Sequence, residues 1–94
     1  MMNSSAHIQT TQASRIAKRL LNHWKHKFDV VENATQYQIM MPSATILLTP
    51  QTHELVVEIQ VKNTETDLSY LEQVVLDHLS RMGQTELSAV WQRY

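Results

Sequence analysis

The chain has 94 residues and a mass of 10.9 kDa, with 43% apolar and 18% charged residues, one glycine, two prolines and no cysteine. Such a length makes one domain, and the missing cysteines exclude a disulfide framework, a thiolate metal site and a cysteine nucleophile. The single glycine, Gly83, excludes a glycine-rich phosphate cradle, and the net charge of −1 hides a split of +5 over residues 1–28 against −6 over 29–94.

The N-terminus, Met1-Met2-Asn3-Ser4-Ser5-Ala6-His7, has neither the basic nor the apolar region of a secretory signal. No run approaches the ~20 apolar residues that span a bilayer, so a soluble cytoplasmic protein with no membrane partner is expected. Residues 6–10 suggest an N-terminal strand. Residues 11–27 then place Ala13, Ile16, Ala17, Leu20, Leu21 and Trp24 on one helical stripe, opposite Arg15, Lys18, Arg19, Asn22, Lys25 and His26. A short strand follows over 28–32, with Asn33-Ala34-Thr35 as its turn. In 36–41 Tyr37, Ile39 and Met41 share a face, as do Ile46 and Leu48 in 44–49. Pro42 and Pro50 mark the two intervening turns. Glu54–Val61 alternates Leu55, Val57, Ile59 and Val61 with polar residues and Val56.

A second helix is predicted over 65–82, with Leu68, Leu71, Val74, Val75, Leu79 and Met82 inward. Thr64-x-x-Asp67 is its start signal and Gly83 its expected left-handed stop. Residues 87–91 read as a last strand. The order β-α-β-β-β-β-α-β, with consecutive hairpins and two one-sided helices, predicts a single α+β domain over residues 1–94. It is a two-layer sandwich, an antiparallel sheet carrying both helices on one face.

Three groups of side chains are candidates for function. His23 and His26 lie three apart at the end of the first helix, a spacing that lets two rings reach one metal ion. The competing reading is a solvated helix end, where histidine suits the negative pole of the helix dipole. His78 falls in line with the apolar stripe of the second helix, so its ring nitrogens need partners. It is either a satisfied core histidine or a ligand facing a pocket, and side-by-side helices would bring His23 towards it. With cysteine absent, histidine is the remaining soft ligand for iron or zinc, although no specific metal motif is present. No serine, acid and base stand at the spacing of a catalytic triad, so a non-enzymatic role is favoured.

The second group is apolar. Leu76 points away from its helix stripe, and with Met40 and Val56 on the outer sheet face it suggests a second apolar surface for self-association, a homodimer through the open face. The third is the basic helix face of Arg15, Lys18, Arg19 and Lys25, able to contact phosphates. The acidic remainder of the chain and the lack of an exposed aromatic platform argue against nucleic acid as the partner.

Residues 20–28, Leu-Leu-Asn-His-Trp-Lys-His-Lys-Phe, resemble an "L-x-x-H-[FW]-x-H-K" helix end. Residues 71–81, Leu-Glu-Gln-Val-Val-Leu-Asp-His-Leu-Ser-Arg, resemble an "L-E-x-V-V-x-x-H-L-x-R" helix, and Leu87-Ser88-Ala89-Val90-Trp91 a terminal strand. All three are segments of the bacterial domain-of-unknown-function family 2218, and the similarity runs through nearly the whole chain in order. The usual "F-P-x-G" hairpin is here Met41-Pro42-Ser43-Ala44, with the proline but not the glycine. The resemblance implies a TATA-binding-protein-like two-layer fold and no established activity. Related domains attached to siderophore-interacting flavin reductases imply a place in iron acquisition and such a reductase as partner. His23, His26 and His78 match the family's histidines, which sets them above His7 and His53.

Overall fold

The computed structural model describes residues 2–94; Met1 lies outside it. The elements are β1 (Ser4–Gln9), α1 (Ala13–Trp24), β2 (Asp29–Glu32), β3 (Tyr37–Met40), β4 (Ala44–Pro50), β5 (Glu54–Val61), α2 (Leu68–Gly83) and β6 (Gln92–Arg93). The strands form one antiparallel sheet in the order β2-β3-β4-β5-β1-β6. The chain therefore begins in the sheet interior, crosses to the far edge through α1, returns by three hairpins, and closes the other edge after α2. The expected element order and two-layer α+β architecture are both present.

Register explains the core. Ile39, Ile46, Ile59 and Ser4 lie in one cross-strand row, and Tyr37, Leu48, Val57 and Ala6 in the next. Because side chains alternate between faces, these rows turn together towards the helices. There they meet Ile16, Ala17, Leu20 and Trp24 of α1 and Leu68, Leu71, Val75 and Leu79 of α2, all buried. The opposite face carries Gln38, Leu47, Glu58 and Ser5 in one row, with His7, Val56 and Thr49 in another.

Each helix has an identifiable start and stop. Gln12 caps α1 without a side-chain bond. The helix ends where Lys27 and Phe28 both donate their backbone N–H to the carbonyl of Trp24, which turns the chain into β2. In α2 the start is at Asp67, whose carboxylate accepts from the backbone N–H of Tyr70 at 3.1 Å.

The stop of α2 differs from expectation. Gly83 remains helical, and Gln84 takes the left-handed conformation at φ 54°. Thr85 N–H then donates to Ser80 O, the six-to-one bond of a Schellman ending. Gly83 is small for another reason: a Cβ there would sit 3.0 Å from Cδ1 of the buried Ile16. The glycine allows the antiparallel helices to approach, and the strained dihedral falls on its neighbour.

The C-terminal strand also differs. Residues 87–91 keep the alternation of a strand, with Leu87, Ala89 and Trp91 half-buried against the core. Yet the ladder with β1 holds only at Ser4↔Arg93 and Ser5↔Gln92, extended by paired backbone bonds between Asn3 and Tyr94. An alternating pattern needs only a one-sided core; pairing needs the partner backbone alongside as well.

Candidate functional site on the helix seam

The two helices run antiparallel, with Ile16 beside Gly83, Arg19 beside Met82 and His23 beside His78. At the His23 end the rings of His23 and His78 lie with centroids 5.6 Å apart at 49°. Trp24, next along α1, faces His78 at 4.9 Å and meets Phe28 edge-on at 6.1 Å. Trp24 is buried, His78 half-buried and His23 exposed, so the cluster grades from core to solvent across one helix turn.

The hydrogen bond of His78 fixes its chemistry. Nδ1 lies 2.7 Å from the carbonyl of Val74, one turn earlier in α2. A carbonyl only accepts, so Nδ1 carries the proton, and in the neutral ring Nε2 keeps a lone pair. Among the described residues no side-chain nitrogen or oxygen is fully buried without a partner, and Nε2 has no hydrogen bond to them, so this atom is not sealed off from solvent. A histidine that donates one N–H to a backbone carbonyl and presents its other nitrogen is arranged as metal-binding histidines are. Two imidazoles on one tetrahedral ion would place their ring centres roughly 5 Å apart, close to the spacing of His23 and His78.

His26 does not join them. The helix ends at Trp24, so His26 lies on the exposed turn beyond it, beside Lys25 and Lys27. Among the described residues no group of three or more histidine, aspartate or glutamate side chains is placed to hold an ion. The seam therefore brings two histidine rings together, His23 and His78, without a third ligating side chain among the described residues.

The remaining candidates are dispersed. Met40 and Val56 are half-buried on the open sheet face but belong to different rows, with Leu47 between them. Leu76 does not share that face. It packs half-buried against the core on the helix layer, beside Leu87 of the C-terminal segment. Its outward direction from the α2 stripe is covered by a chain segment that periodicity within one helix does not reveal. On the basic face, Lys18 pairs with Glu32 at 2.6 Å and Arg19 donates to the carbonyl of Met82 at 2.9 Å, whereas Arg15 and Lys25 are exposed.

A second polar cluster on α2 was not singled out by sequence reasoning. Glu72 is 8% exposed and accepts from Ser4 Oγ at 2.5 Å and from Arg93 Nη2 at 3.0 Å and Nε at 3.3 Å. Arg93 also donates to Ser69 Oγ at 2.7 Å. Burial pushes the Glu72 carboxyl up, but the hydrogen bonds from Arg93 and Ser4 and the guanidinium charge hold it net below the usual carboxylate range. On the opposite sheet face, Tyr94 Oη donates to Glu58 Oε2 at 2.5 Å, and its pKa is pushed up to about 12 by that bond, with burial and the Glu58 charge adding to it. The spacing of Leu68, Glu72, Val75 and Leu79 places Glu72 on the stripe and was the available signal.

No helix is long and apolar enough to cross a membrane among the described residues. The chain is similar to PA4090 from Pseudomonas aeruginosa, solved by NMR, at 29% identity over 98% of this chain and 96% of that one, with a TM-score of 0.79. No curated protein matches it. The family model described as an uncharacterised protein conserved in bacteria, DUF2218, matches residues 5–92, and the chain belongs to that family.

Proposed function

We propose that this domain is a non-enzymatic cytoplasmic binding module, and that its binding site is the His23–Trp24–His78 cluster on the helix seam. The observation that carries the reading is the committed Nδ1 of His78, which leaves Nε2 as an acceptor or ligand 5.6 Å, ring to ring, from His23. Two protein nitrogens without a third favour a cargo that brings most of its own coordination shell. A ferric or zinc chelate with one or two open positions fits, whereas a bare ion needing four protein ligands does not. The resemblance to domains joined to siderophore-interacting flavin reductases supports iron as the metal, and such a reductase as partner.

Titration with zinc, ferrous and ferric ions, with haem and with a ferric hydroxamate, followed by tryptophan fluorescence from Trp24 and Trp91, tests the reading. Saturable quenching that His78→Ala and His23→Ala both remove is the expected outcome. Binding indifferent to both substitutions, or no binding by any of these ligands, contradicts it.

Self-association through the open sheet face is the second reading, supported by the half-buried Met40 and Val56 on that face. Sedimentation as a monomer at tens of micromolar would count against it, since standard interfaces persist at that concentration. Nucleic-acid binding through the first helix is disfavoured because Lys18 and Arg19 are already engaged within the domain.

A further inference from the structure

The C-terminal segment between α2 and β6 lies along the outer edge of β1 without pairing to it. Between the two runs a groove of about 370 Å³, lined by His7, Gln9 and residues 86–90. Asn3 and Tyr94 exchange backbone N–H···O bonds in both directions, so Asn3 is a hydrogen-bonded position on this edge. The alternation of an antiparallel ladder then directs the backbone N–H and C=O groups of Ser5, His7 and Gln9 to the same edge. Ser5 meets Gln92 there, but the ladder stops, leaving His7 and Gln9 facing the groove.

Continued without a shift, the register Ser4↔Arg93 and Ser5↔Gln92 sets His7 opposite Val90 and Gln9 opposite Ser88. The same continuation sets inward Ala6 and Ile8 opposite inward Trp91 and Ala89, and exposed Val90 beside exposed His7. Side chains on both strands already point the correct way, so closure needs no turning over of the segment. Its far end is fixed as well, by the backbone N–H of Leu87 donating to Ser80 Oγ at 3.0 Å.

We infer that residues 88–91 are a reversible strap that zips onto β1 in the existing register, pairing Val90 with His7 and Ser88 with Gln9, and that the structure holds its open form. Closed, the strap covers the β1 edge against strand addition by another chain; open, it exposes two unpaired backbone positions.

Amide hydrogen exchange on the intact protein, read residue by residue by NMR, tests this. His7 and Gln9 amides should be protected at least tenfold above the exposed turn amide of Ala34 and at least tenfold below that of Ser5. Val90→Pro replaces the N–H that would donate to the His7 carbonyl with a ring carbon, which holds the strap off β1, and should drop both amides to the Ala34 level while leaving Ser5 unchanged. Ser88→Pro should affect Gln9 and spare His7. Protection of His7 and Gln9 at the Ala34 level in the unmodified protein would mean that the strap never closes. Protection equal to that of Ser5 would mean that it never opens, and protection unchanged in Val90→Pro would place its origin elsewhere. Each of these overturns the inference.

Discussion

Glu72 and His78 are both polar residues on the core-facing side of α2, yet the fold treats them differently. Every contact around Glu72 is internal: Ser4 and Arg93 both donate to it, and Ser69 helps to hold Arg93. The cluster ties α2 to β1 and to β6, the last strand of the sheet, which has two residues and little apolar area of its own. His78 has one nitrogen committed to Val74 and one left over, beside a second histidine and a buried tryptophan. A polar residue on an apolar stripe is architecture when its bonding capacity is consumed within the fold. Where capacity remains at the surface, it is available for a ligand.

The largest expected effect lies where the two roles overlap. Trp24 is 6% exposed and supports the His78 ring, so Trp24→Ala should cost about 3–5 kcal/mol in denaturant unfolding and also abolish binding. His78→Ala separates them: binding is lost while stability changes by about 1 kcal/mol or less. Glu72→Leu should do the reverse. It strips the fully buried Ser4 hydroxyl of its acceptor, costing about 2 kcal/mol, and leaves ligand affinity unchanged. A binding defect in Glu72→Leu would break the distinction between the two clusters.

The pH dependence of stability sharpens it further. The Glu72 carboxyl is held below its ordinary 4.5, so its contribution is present above that pH and fades as pH falls through the lower folded-state value. Exchange at the Asn3–Tyr94 pair should rise there before global unfolding. Tyr94, raised from 10 to about 12, contributes below pH 10 and loses its bond to Glu58 as pH climbs to about 12. The smallest effect is expected at Gln84→Gly, which relieves a left-handed dihedral and should add up to about 1 kcal/mol by thermal melting.

Elements with strong periodicity were legible in the sequence. The stripe from Ala13 to Trp24 and the alternation through Glu54–Val61 each suit one backbone geometry, and both elements formed where expected. The approach of His23 to His78 also followed from two one-sided helices sharing a layer. What was not legible depends on contacts between distant segments. Gly83 looks like a helix stop, but Ile16, 67 positions away, decides its role. Leu76 looks exposed until the segment after α2 folds back beside it. Residues 87–91 carry the strand pattern, but the pattern does not contain the distance to the β1 backbone. Glu72 falls on the stripe of Leu68, Val75 and Leu79, but the pattern within one helix does not show the Ser4 and Arg93 side chains that donate to its buried carboxylate.

Binding at the seam requires that Nε2 of His78, which has no hydrogen bond to the described residues, carry the free lone pair, and ¹⁵N NMR of the histidine rings reads that atom directly. In the metal-free protein the spectrum of the neutral ring should show His78 as the Nδ1–H form, with an unprotonated Nε2. Addition of zinc or a ferric chelate should shift or broaden the Nε2 signals of His23 and His78 together, leaving His53 unaffected. An Nε2–H form of His78, or ring signals for both residues that ignore every metal species added, would contradict the account.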